Sequence, residues 1–183
     1  MKESAFDPGP LADVDSHADE NGWTLVFVRE LAHAPERVWA ALTEPAQLRE
    51  WSPFTADRNL DAVGDATLTM IDGDVSEDLP AVVQRAERPL VLEYTLGDDL
   101  VRWDLSPIAS GTRLMLRHTV QDPQWVPKVA AGWHICLAVA DRLLAGNPVG
   151  PIVGEAAREH GWEQLRDAYA EALGLTRTGS RGA

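Results

Sequence analysis

Cysteine is almost absent. Cys136 stands alone in a chain of 183 residues, which excludes an internal disulfide, and no Cys/His spacing matches a structural zinc site. This usage fits a reducing, cytoplasmic setting. Basic residues are also scarce: 16 Lys and Arg stand against 29 Asp and Glu, a formal charge of -13, with the acids scattered along the chain. Such a surface repels phosphate backbones and anionic bilayers, so neither nucleic acid nor membrane insertion is expected. No apolar run approaches spanning length, and the acidic, proline-broken start "MKESAFDPGPLADVDSHADENG" lacks the apolar stretch of a signal peptide. No phosphate-cradling glycine loop, nucleophile-elbow serine, Walker lysine or paired-histidine metal motif is present. These absences weaken enzyme readings without removing them, and they imply no cofactor and no metal.

What remains is an ordinary globular mixture, 45% hydrophobic and 25% charged. At this length it can bury one core and enclose a cavity as well. One domain is expected over 23–175. A flexible acidic arm, 1–22, precedes it and a flexible tail, 176–183, follows it, since neither end carries a periodic apolar pattern.

"WTLVFVREL", rich in β-branched and aromatic residues, reads as a first strand. Two short helices should follow. In "APERVWAALTEP", Pro35 suits a first helical turn, Val38, Trp39, Ala41 and Leu42 make an apolar stripe, and Pro45 ends the run; "AQLREW" is the second. From there to Val120 the chain reads as strands: "FTADRNL", "ATLTMI", "LPAVVQRAE", "LVLEYTL", "LVRWDLSPI" and "TRLMLRHTV", with turns at Gly64, Gly73, Pro89, Gly97 and Gly111. Short connections make an antiparallel meander the economical arrangement. After "DPQWVPK" the period becomes helical through "VAAGWHICLAVADRLLAG", pauses at "NPVGP" and resumes to Leu173.

Strand alternation assigns the buried face. Leu92, Tyr94 and Leu96 share one side of their strand, Val101, Trp103 and Leu105 one side of the next, and Leu114, Leu116, His118 and Val120 one side of the last. His118 therefore falls on the apolar side. A long C-terminal helix covering that side gives a curved sheet gripping a helix.

Three stretches carry a family resemblance: "HAPERVWAALTEPAQLREW" after the first strand, the meander with "AERPLVLEYTL" and "GTRLMLRHTV", and the helix "GWHICLAVADRLLAG". In this order they resemble the START-like, helix-grip superfamily, also called SRPBCC, in the branch similar to the C-terminal domain of the activator of heat-shock protein 90 ATPase. The likeness spans about Trp23 to Leu173. It implies an α+β fold in which a curved antiparallel sheet wraps a long C-terminal helix, two short helices follow the first strand, and a hydrophobic cavity is enclosed. Family functions are varied, from binders of hydrophobic molecules to cyclases, hydratases and co-chaperones, so fold alone does not decide function.

His134 and Cys136 invite a reactive-pair reading, but residues two apart on a helix diverge by about 200°. Projection groups Trp133, Cys136, Leu137, Ala140, Leu143 and Leu144 on one side, with His134 on the flank near Asp141; Cys136 then reads as a small core residue. His118, Tyr94 and Trp103 point to the concave side, where a ring with one polar handle can orient an amphipathic ligand. Trp51 and Phe54 resemble family positions bordering the cavity mouth. With Met70, Leu116, Trp133 and Leu137 these make up the expected ligand-binding set. The acidic turn Asp72 to Asp78 lacks the spacing and closing glutamate of a calcium loop and reads as a solvated hairpin tip.

The leading functional expectation is a monomeric or homodimeric binder of a hydrophobic or aromatic small molecule, lipid-like or polyketide-like, held between sheet and C-terminal helix. Two alternatives stand beside it. One is a cyclase or hydratase with His118 as acid/base. The other is a co-chaperone-like interaction module with a chaperone partner, connected through the resemblance with stress response.

Overall fold

Turn residues divide the chain, and the alternation between them sets the faces. The structure, a computed structural model, describes residues 6–72 and 75–175. Eight strands and five helices follow in the order β1 (Asp13–Asp19), β2 (Gly22–Leu31), α1 (Pro35–Thr43), α2 (Pro45–Trp51), β3 (Phe54–Ala56), β4 (Gly64–Asp72), β5 (Val75–Glu87), β6 (Val91–Leu96), β7 (Asp99–Ile108), β8 (Gly111–Val120), α3 (Trp125–Leu144), α4 (Glu155–Glu159) and α5 (Trp162–Ala172). All strands join one antiparallel sheet in the order β1-β2-β8-β7-β6-β5-β4-β3. The α1–α2 pair carries the chain from β2 to the far edge, and β8 returns to β2. This is the α+β helix-grip architecture.

Pro35 and Pro45 each occupy the start of a helix, where a missing N–H costs nothing. Glu44 closes the first helix by donating its N–H to the Ala40 carbonyl. Where β2 meets β8 the backbones approach too closely for side chains. A Cβ on Gly22 would collide with the Val120 carbonyl and one on Gly111 with the Leu31 carbonyl, and both residues have positive φ. The expected strand "FTADRNL" is paired only over Phe54–Ala56, because Arg58 turns back to bond the Asn59, Gly64 and Asp65 carbonyls.

Register converts alternation into a core. Leu25, His118, Val101, Tyr94 and Val83 form one row across five strands, and Phe27, Leu116, Trp103 and Leu92 form the next. All nine are buried. His118 is the single polar member, so it must find partners inside. The opposite face carries charge: Arg102 bonds Asp104 and pairs with Glu93, while Arg117 pairs with Asp104. Half-exposed pairs of this kind contribute ~0–1 kcal/mol each and chiefly keep that face wet.

One expectation about the ends is corrected. Asp13–Asp19, expected in a flexible arm, is an edge strand paired along its length with Gly22–Val28. Its acidic residues hid the alternation, and only Val14, Ser16 and, before them, Ala12 are partly covered. The tail 176–183 and the tip of the acidic turn lie outside the described residues, but Ser76, Glu77 and Asp78, expected in that turn, are exposed strand.

The gripping helix α3 is also more enclosed than an amphipathic stripe suggests. Every residue from Trp133 to Ala140 is buried, because the sheet covers one side and α5 the other. His134, expected near Asp141, instead sits under α5. The Tyr169 hydroxyl donates to its Nδ1 at 2.6 Å and accepts the Ala12 N–H at 2.9 Å, while His134 Nε2 donates to the Pro8 carbonyl at 2.8 Å. Asp141 faces His33 and Arg29. No helix among the described residues is long and apolar enough to cross a membrane.

Burial is the main cause that lowers the His134 pKa below its ordinary 6.5; Arg29 lowers it further, and the bond to Pro8 and the charge of Asp7 oppose the shift. The folded state therefore favours the neutral ring. Its stabilising contribution is complete above the unfolded value and is lost as pH falls through the depressed folded value. Urea denaturation of the wild type should show a lower midpoint at about pH 5.5 than at about pH 7.5. His134→Gln should narrow that difference, and an unchanged difference would remove His134 from the account.

Candidate functional site

The concave face of the sheet is filled before any ligand can enter it. Trp51, Phe54, Tyr94 and Trp103 are each no more than 1% exposed. They stack edge to face with one another and with Trp133 from α3. Trp103 and Trp133 lie 5.2 Å apart at 89°, Trp51 and Trp103 6.3 Å at 82°, and Phe54 and Tyr94 6.0 Å at 83°. Such contacts add ~0.5–1.5 kcal/mol per pair beyond burial. The buried indoles also have acceptors: Trp51 donates to the Ala41 carbonyl, Trp103 to the Tyr94 hydroxyl and Trp133 to His118 Nδ1. Burial pushes the Tyr94 hydroxyl well above its usual range.

A cavity of about 680 Å³ opens beside this cluster, at the N-terminal end of α3. Trp125, Val129, Gly132, Trp133 and Cys136 supply one wall, a single stripe at helical spacing. Pro53, Met70 and Leu96 come from the sheet side, and His118 stands at the base. The outer wall is Ile152, Val153, Gly154, Glu155, Ala157, Arg158 and Trp162, from the segment after α3 and the helices α4 and α5.

Of the nine residues expected to bind, Met70, His118 and Trp133 line this cavity. Trp51, Phe54, Tyr94, Trp103, Leu116 and Leu137 do not; they are core beneath it. Strand parity identified an inward face but could not tell which inward residues are covered by others. Trp125 was missed because "DPQWVPK" reads as a connection before the helix, whereas α3 begins at Trp125 with Pro127 in its first turn, where proline is tolerated. Cys136, read as packing, is buried and also lines the cavity. The outer wall had no signal beyond a pause at "NPVGP".

His118 joins helix to sheet. An indole N–H can only donate, so the 2.9 Å contact from Trp133 Nε1 requires a bare Nδ1. The proton then sits on Nε2, which donates to Asp99 Oδ2 at 2.8 Å. Both nitrogens are committed, and the side chain is only 5% exposed. A ring bonded in this way has no free lone pair for proton abstraction. Cys136 offers no nucleophile either, since burial pushes its thiol up to about 12, keeping it protonated at neutral pH.

The comparisons agree with the fold. The profile of the family described as "Activator of Hsp90 ATPase homolog 1-like protein" matches residues 32–145, more than half of the chain. The chain belongs to this family. No curated protein matches it significantly. Among solved structures it is similar to a Rhodobacter sphaeroides protein, with 24% identity, 73% of this chain and 99% of that one covered, and a TM-score of 0.59. CalU16 from Micromonospora echinospora shares 18% identity over 91% of this chain and 98% of its own, at a TM-score of 0.65. A conserved protein of unknown function from Enterococcus faecalis shares 18% over 90% and 92%, at 0.66. These likenesses show the fold. The family match ends at residue 145, so the outer wall of the cavity lies beyond it.

Removing the imidazole strands the Trp133 N–H in a buried position. His118→Leu should cost about 1–3 kcal/mol in urea denaturation, the price of one unsatisfied buried donor. In a His118→Leu/Trp133→Phe cycle the two losses should be less than additive; additive losses would mean that the indole bond contributes nothing.

Proposed function

We propose that this protein binds a hydrophobic or aromatic small molecule, lipid-like or polyketide-like, in the cavity beside Trp133. The observation that carries the reading is the cavity itself. Its volume of about 680 Å³ lies within the roughly 300–1,000 Å³ typical of small-molecule sites. Its lining is apolar and aromatic except for His118, Glu155 and Arg158. Each Å² of apolar ligand surface removed from water there contributes about 25 cal/mol. Family membership supports the same reading. The acid/base alternative has less support, because both His118 nitrogens are already bonded.

Gly132 adds a second line of support. A glycine inside a helix is ~0.8–1.0 kcal/mol less favourable than alanine, yet a Cβ placed on Gly132 meets nothing within 4 Å. The missing side chain leaves room in the cavity wall. Gly132→Leu should therefore fill ligand space while leaving stability unchanged or raised by roughly 0.5–1 kcal/mol.

The test is titration of wild type and Gly132→Leu with the neutral fluorescent probe N-phenylnaphthylamine, alongside native mass spectrometry of the purified chain. Saturable uptake by the wild type and at least about tenfold weaker binding by the variant, a loss of about 1.4 kcal/mol, are expected. A wild type that takes up no probe and carries no small molecule sinks the reading. A protein captured in its place would favour the interaction-module alternative.

A further inference from the structure

The outer wall of the cavity is attached to the rest of the molecule in an unusual way. It runs from Ile152 to Trp162, and positive-φ glycines interrupt the chain around it at Gly146, Gly150, Gly154 and Gly161. Helix α4 is a single short turn-and-a-half that packs on α5. What holds this layer down comes from the other end of the chain. Phe6 meets the ring of His160, at the end of α4, edge to face with centroids 5.5 Å apart. Pro8 accepts from His134 on α3 at 2.8 Å, and Ala12 donates to Tyr169 on α5 at 2.9 Å. Tyr169 and His134 complete the circuit at 2.6 Å. The segment Phe6–Ala12 thus reaches α3, the end of α4 and α5, in the layer where His134 and Tyr169 also pack on Phe27 of β2.

We infer, resting on the ligand-binding reading, that Phe6–Ala12 is a clasp that keeps residues 152–162 closed over the cavity, and that its hold sets how fast a ligand leaves. Tyr169 and His134 are positioning residues in this arrangement; neither lines the cavity. Opening pivots the wall at its glycines against the Phe6–His160 contact, and the Ala12–Tyr169–His134–Pro8 chain of bonds anchors the N-terminal segment that makes that contact. The clasp belongs to this chain rather than to the family match, since both of its halves lie outside residues 32–145 except for His134.

The test compares full-length wild type with Tyr169→Phe, which keeps the ring and removes the hydroxyl, and with a chain lacking residues 1–12. Hydrogen exchange followed by mass spectrometry reads the wall directly, and stopped-flow release of N-phenylnaphthylamine reads its consequence. In Tyr169→Phe, which loses both bonds of the hydroxyl, exchange over residues 152–162 and probe release should both quicken at least about fivefold, the factor expected from even one hydrogen bond of ordinary net strength. Exchange in the strand β8 should stay as in the wild type. The truncated chain should show a larger effect in the same places. Unchanged exchange over 152–162 in Tyr169→Phe overturns the clasp, and so does acceleration spread evenly over the molecule. If the wild type binds no probe, the ligand-binding reading fails, while exchange over 152–162 still decides the clasp. If the truncated chain does not fold, Tyr169→Phe decides alone.

Discussion

The bond from the Trp133 indole to His118 fixes how the gripping helix sits on its sheet. A buried indole N–H is stabilised by an acceptor, and the one that Trp133 meets on the concave face is His118 Nδ1. Asp99, at the first position of β7, holds the other nitrogen and with it the tautomer. Once Trp133 is anchored, 3.6-residue periodicity settles its neighbours. Gly132 and Cys136 share the cavity wall with it, and His134 turns away beneath α5. One donor and one acceptor thereby decide which side of α3 faces the cavity.

The position of the cavity follows from how the concave face is filled. Large rings from α2, β3, β6 and β7 meet Trp133 where α3 crosses the middle of the sheet, and edge-to-face packing leaves no ligand-sized space among them. On the N-terminal side of Trp133 the wall residues Gly132 and Val129 are small, between Trp133 and Trp125, and Met70 and Leu96 face them from the sheet. Space opens there, beside the aromatic cluster. It would be a groove if the chain stopped at the end of α3. The segment from Ile152 to Trp162 gives it an outer wall.

The sheet was legible in the sequence because alternation is a local property. Leu92, Tyr94, Val101, Trp103, Leu105, Leu114, Leu116 and His118 all face inward as the two-residue period requires. The family stretches fixed the order of elements in the same way. The site was less legible because lining a cavity depends on what else is present. Tyr94 and Trp103 face the right way but lie under Trp133 and Phe54. Projection of α3 alone assigned His134 to a flank, since nothing local shows that Tyr169, 35 positions later, will cover it. The N-terminal strand was hidden for a related reason. Its acidic residues read as a solvated arm, and its pairing with β2 is a tertiary fact.

The outer layer, finally, explains how a helix buried on all sides can still border a cavity. A helix that is apolar around its whole circumference needs cover on both faces, and α3 receives it from the sheet and from α5. The segment that walls the cavity runs directly into α5, and Trp162 belongs to both, so the two tasks are mechanically joined. A ligand that binds only when the wall is closed favours the closed state by mass action, and through the wall it favours the docking of α5 on α3. On the proposed ligand-binding reading, occupancy and the integrity of the terminal layer are two views of one equilibrium, with the sheet and the Trp133–His118 anchor as its fixed frame.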